Sequence, residues 1–228
     1  MHENHQKISI IPLRCNSCGH ELSGAEDDVF FLCPLCGVGW EVEGNGLVSR
    51  KAFYVHSPAT LNNQAPLVYL PFWVFEIHDL TLSSKRARTT SRLMDEVQKM
   101  KRIYVEAYDS FMGDVYGNLA LRYLKDLSSY EFVPPGRIVG CTRLSGRILP
   151  YIRHYILRHL DKTQDVTDME ISFNVSDIFI AGFPYSVKDE HTLIDLMTGL
   201  SILTMGIMNF HVFRREFRIG TGDASREK

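Results

Sequence analysis

The chain has 228 residues, enough for one large domain or for a small module joined to a domain of ordinary size. Hydrophobic residues make up 45% and charged residues 23%, which implies a buried core and excludes wholesale disorder. With 25 basic against 27 acidic residues the net charge is −2, so bulk electrostatics do not advertise a nucleic-acid partner.

Residues 1–15 carry His2, Glu3 and His5 and no long apolar run. They read neither as a signal peptide nor as a membrane helix, and a cytoplasmic protein is expected. In that setting paired Cys-x-x-Cys motifs favour a metal over disulfides. Two such motifs follow at once, Cys15-Asn-Ser-Cys18-Gly19 and Cys33-Pro-Leu-Cys36-Gly37. Two thiolates that close in sequence can grip one ion only if the chain turns back sharply. A glycine after the second cysteine permits the left-handed backbone that aims amides at the sulfurs. Four thiolates also close the coordination shell, which points to a structural rather than a catalytic metal.

Between the pairs, Val29 to Leu32 reads as a strand. After the second pair, Val38, Trp40 and Val42 alternate with Gly39, Glu41 and Glu43, so a second strand leaves the site. Gly44-Asn45-Gly46 makes a turn. Knuckle, strand, knuckle, strand resembles the zinc-ribbon family over about residues 11–48. The resemblance implies one zinc ion held by Cys15, Cys18, Cys33 and Cys36. Metal binding in such a small hairpin is folding energy, about 10–16 kcal/mol in comparable peptides. Residues 1–48 are therefore expected to form a metal-dependent module, and residues 49–228 to form a domain with a core of its own.

In that domain Ala52 to Val55 reads as a short strand. The run from Leu67 to Ile77 is aromatic and β-branched, hence a strand, with Pro71 marking an edge or a bulge. Its Tyr69, Phe72, Trp73 and Phe75 offer contact area if exposed and core if not. The Tyr-x-Pro-Phe-Trp string at Tyr69–Trp73 also resembles uncharacterised bacterial zinc-ribbon proteins, a likeness that implies no activity. Lys85 to Arg102 concentrates seven basic residues, with one Ser/Thr cluster at Thr89–Ser91 and another, Ser83-Ser84, just before it, and reads as an exposed binding loop; Lys85, Arg86, Arg88 and Arg92 are its candidate partner-binding residues. Ile103 to Tyr108 reads as a strand.

The spacing of Val115, Leu119, Tyr123 and Leu127 predicts a helix over 114–128 with Asp114 as N-cap. A second helix is predicted over about 150–161; were it to start near Leu144, Pro150 should interrupt it. Glu170 to Val175 and Asp177 to Tyr185 read as strands, and Thr192 to Leu203 as a hairpin. Leu196 to Phe213 is apolar but broken by Gly199, Gly206, Asn209 and His211, so it is read as core rather than as a membrane span. Leu67–Val74 and Ile178–Tyr185 both set proline beside aromatics, as two weakly related half-domains with these as edge strands would.

No nucleotide loop or nucleophile elbow is present in the sequence. The histidines are isolated or on different helical faces, and Cys141 sits among apolar residues, so no catalytic or cofactor-binding residue is assigned. The fold class is α+β: an N-terminal zinc ribbon, then a mainly antiparallel sheet with two main helices. The function read from this is a non-enzymatic adaptor, with the ribbon as docking module and the larger domain as a protein-binding platform. The alternative is a nucleic-acid-associated factor working through residues 85–102.

Overall fold

A computed structural model of the protein describes residues 11–56, 60, 65–84, 100–110, 131–161 and 168–217. Strands β1 (Phe30–Leu32), β2 (Gly39–Glu43) and β3 (Gly46–Arg50) form a three-stranded antiparallel sheet in that order. A larger sheet contains β4 (Ala52–His56), β5 (Leu67–Ser84), β6 (Arg102–Glu106), β7 (Glu131–Val133), β8 (Met169–Asp189), β9 (Thr192–Asp195) and β10 (Ser201–Leu203). Helices α1 (Ser145–Ile148) and α2 (Ile152–Asp161) flank a 3₁₀ turn at Leu149–Tyr151, and α3 (Phe210–Glu216) closes the described chain. The class is mixed α+β with mainly antiparallel pairing; β4 alongside β8 is a parallel pair.

The antiparallel pairing of β5 with β8 is the spine of the larger sheet, from Leu67 opposite Ser186 to Ser84 opposite Met169. From Val68 to Phe75 β5 is apolar on both faces because both faces are covered there. Val68, Leu70, Phe72 and Val74 join Phe179, Ala181, Phe183 and Tyr185 of β8 in a core closed by Phe210, Val212 and Phe213 of α3. Trp73, Phe75 and Ile77 turn the other way, onto Ile148, Ile152 and Ile156 of the helical pair and onto Phe30 of β1. Helix, sheet, and helix plus N-terminal sheet thus stack as layers.

Several expectations change here. Pro71 and Pro184 are neither edge nor bulge: β5 and β8 are interior strands. They pair with each other, so the two proline-aromatic strings are not the edges of separate halves. The carbonyl of Pro71 accepts from Ala107 and that of Pro184 from Leu196, both on the sides away from the shared ladder. Each absent N–H points the same way as its carbonyl, so the β5–β8 ladder loses no donor. The strands read at 170–175 and 177–185 merge into β8. Phe72, Trp73 and Phe75 are fully buried and offer nothing to a partner.

The second helix follows the interrupted reading. Ser145, Ile148, Ile152 and Ile156 are buried at helical spacing, and Pro150 sits in the 3₁₀ turn where the ladder breaks. The hairpin at 192–203 forms as β9 and β10. Helix α3 falls in the stretch read only as apolar core. The helix read at 114–128 lies outside the described residues, as do Lys85, Arg86, Arg88 and Arg92. Arg102, counted with that basic loop, begins β6 and pairs with Glu76 at 2.7 Å. Among the described residues no helix is long and apolar enough to cross a membrane.

Gly140 tests how the α3 layer seats. Its φ is +70°, and a Cβ there would drive into the Phe213 ring, which is fully buried. Left-handed strain and overpacking therefore add. Gly140→Ala is expected to lose about 3 kcal/mol in urea unfolding, and a loss below about 0.5 kcal/mol would show that the loop does not clamp α3.

Candidate metal centre

The two Cys-x-x-Cys segments fold into near copies of one turn. The Cys15 amide donates to the His20 carbonyl at 2.8 Å and the Gly19 amide to the Cys15 carbonyl at 2.8 Å. In the second segment the Cys33 amide donates to Val38 and the Gly37 amide to Cys33, each at 2.9 Å. Gly19 and Gly37 have φ of +75° and +73°, the left-handed turn the sequence required of them.

The turns bring all four sulfurs within 4.8 Å of one another, an arrangement that can hold a metal ion. Cys15 Sγ lies 3.5 Å from Cys36 Sγ, and Cys18 Sγ lies 3.5 Å from Cys33 Sγ. These are far longer than the ~2.05 Å of a disulfide, and all four cysteines are free. Cys15 and Cys33 are buried, whereas Cys18 and Cys36 face solvent.

The surroundings favour thiolates at the buried pair. Burial opposes ionisation of Cys15, but the amides of Cys18 and Ser17, the Cys36 thiol and the Trp40 indole outweigh it and draw its pKa down to about 6. For Cys33 burial is likewise outweighed by the amides of Cys36 and Leu35 and by the neighbouring thiols. At Cys18 the His20 amide favours the thiolate, but burial and the three other thiols prevail and push it up to about 12. Cys36 moves up as well: the Val38 amide favours its thiolate, and burial with the thiols of Cys15 and Cys33 prevails. An ion shared by the four would supersede this division of protons.

The β1–β2 hairpin supplies two faces with different duties. Phe31 opposite Trp40 forms one, packed with Leu22 over Cys15 and Cys33. From it the Trp40 indole N–H donates to Cys15 Sγ at 3.2 Å. Phe30 opposite Glu41 forms the other, and it turns onto the larger sheet. Phe30 meets Trp73 edge-on with ring centroids 6.0 Å apart. Glu41, only 1% exposed, accepts the Ser145 amide at 2.7 Å and the Ser145 hydroxyl at 2.8 Å, and it pairs with Arg50 Nε at 2.7 Å. The Val29 amide adds a bond to the Cys141 carbonyl at 2.7 Å.

The sequence reading found the four cysteines and missed this support. Alternation sets Glu41 on the face of β2 opposite Val38, Trp40 and Val42, and that polar face is the docking face. The signal that was available is Gly39: a Cβ there would meet the Phe30 ring at 2.5 Å, so a glycine beside a strand's polar residue marked close packing on that face. Cys141 is fully buried, and burial pushes its thiol well up, as fits a packed residue. His20 is exposed beside the first turn.

Removing the Glu41 carboxylate would leave the Ser145 amide and Arg50 facing a hole. Glu41→Ala is expected to cost about 3 kcal/mol in chemical unfolding, with Glu41→Gln losing less because it keeps an acceptor. A loss below about 0.5 kcal/mol for the alanine would show that the junction does not rely on this charge.

Comparison with family models, with curated proteins and with solved structures returns no match for this chain.

Proposed function

We propose that the protein is a non-enzymatic adaptor in which a zinc ribbon, docked rigidly on an α+β platform, presents its second knuckle to a protein partner. The observation that carries this is the closed set of four sulfurs with an apolar tip beside it. In a regular tetrahedron of zinc–thiolate bonds of ~2.3 Å the sulfurs would stand about 3.8 Å apart, and the 3.5 Å pairs approach that spacing. Four cysteines leave no open position for a substrate or an activated water, so the ion's role is structural. Bound there, zinc would supply folding energy and fix both knuckles.

Leu35, between Cys33 and Cys36, is 68% exposed, beside the exposed Pro34. A large apolar side chain on a turn that cannot deform is a suitable anchor, because little entropy remains to be lost when it is buried. The junction through Phe30 and Glu41 then transmits the position of this tip to the larger sheet.

Two measurements test the reading. Elemental analysis of the chain purified without added metal is expected to give about one zinc per chain, whereas iron or no metal would contradict it. Affinity capture from the native host is expected to retain a protein with the wild-type chain and not with Leu35→Asp, both chains keeping their zinc and melting temperature. Equal capture by both chains, or none by either, removes the knuckle from the function.

A further inference from the structure

Residues 132–160 contain five arginines and two histidines and no aspartate or glutamate, in a chain whose net charge is −2. This is a segregation of charge that the overall balance conceals. Among the described side chains the fold answers Arg137 and Arg143. Arg137 pairs with Glu216 at 2.5 Å, and Arg143 lies 4.0 Å from Asp109 and donates to the Glu106 carbonyl at 3.3 Å. Arg147 and Arg153 have no ion-pair partner among the described residues, and both are exposed.

The α1–α2 segment arranges these side chains on one side. Its buried positions are Ser145, Ile148, Ile152 and Ile156. Its exposed positions are Gly146, Arg147, Pro150, Tyr151, Arg153 and His154, which recur at the complementary helical spacing. Arg147, Tyr151 and His154 follow one another at four- and three-residue steps, so they lie in a row. Tyr151 is 61% exposed in the middle of that row. An aromatic ring left open between a guanidinium and an imidazole is not explained by packing, because the core this segment covers is already filled from its other side.

We infer that the Arg147–Tyr151–Arg153–His154 face of the α1–α2 segment binds single-stranded nucleic acid. Two chemistries meet in such a ligand: phosphates for the arginines and unpaired bases whose faces stack on a tyrosine. A duplex offers the phosphates but keeps its bases stacked internally, so it cannot use Tyr151. An acidic peptide would use the arginines and leave the ring without a matching partner. The docked N-terminal sheet fixes the face in place, since Glu41 holds the first amide of α1. This surface is separate from the Leu35 tip, and the adaptor reading stands or falls without it.

The test uses the zinc-loaded full chain and an end-labelled oligothymidylate about 20 nucleotides long, with its oligouridylate counterpart, followed by anisotropy between about 50 and 200 mM salt. Binding of at least one single strand is expected, weaker for a duplex of the same length and falling as salt rises. Arg147→Gln with Arg153→Gln is expected to reduce the slope of log affinity against log salt by about 1.4, from about 0.7 per phosphate. Tyr151→Ala is expected to weaken binding about 5- to 150-fold with that slope unchanged, while Tyr151→Phe keeps wild-type affinity. All four side chains are exposed, so melting temperatures should match the wild type, and any variant that melts early is replaced by Arg147→Lys with Arg153→Lys, for which the slope is expected to persist. No binding at the lowest salt overturns the proposal. So does loss of binding only when Lys85, Arg86 and Arg88 are reversed, or polyglutamate competing as well as the oligonucleotide, which would assign the face to an acidic protein.

Discussion

A carboxylate taken out of water must be met by donors, or it costs stability or takes up a proton. Glu41 is met from three directions at once, by Arg50 along its own sheet and by the amide and hydroxyl of Ser145 across the junction. Its position in β2 is fixed by pairing with Phe30, and Phe30 in turn lies edge-on against Trp73. The charge can be satisfied only when the small sheet, the start of α1 and the strand β5 are all in register. This one residue therefore makes the seating of the N-terminal sheet specific, where apolar contact alone would tolerate sliding.

The hairpin that carries Glu41 is also the wall of the cysteine cluster. Phe31 and Trp40 cover Cys15 and Cys33 from one face while Phe30 and Glu41 dock from the other. A strand only three residues long has no stability of its own. Order on the cysteine side and order on the docking side must support each other through the same few backbone bonds. A metal held by the four sulfurs would thus stiffen the junction, and a filled junction would preorganise the sulfurs.

What was legible in the sequence follows from how local each signal is. The two knuckles are determined by cysteines and glycines within five residues of one another, so their positions and left-handed turns could be read directly. The hairpin at 192–203 and the break at Pro150 are also local. The larger sheet is not. Pro71 reads as an edge marker until one knows that its carbonyl, and so its missing N–H, faces away from β8. Glu41 reads only as part of the polar face of β2 until a second layer arrives 104 positions later in the chain to cover it. Helix α3 is short, and its first residue follows Asn209 in a left-handed conformation, with no side-chain cap to announce it. At Pro71 and Glu41 a long-range contact overrode a local pattern.

A metal at the four cysteines would order the hairpin and, through it, the start of α1, while the β5–β8 spine holds its own core. Hydrogen exchange of the full chain with and without a chelator tests this most directly. When the metal is removed, the amides of Phe30 to Leu32, of Gly39 to Arg50 and of Ser145 are expected to lose protection together, with Phe72 to Phe75 and Ile180 to Phe183 still protected. Full protection of Ser145 beside a melted hairpin, or loss of the β5–β8 amides in the same step, would contradict it.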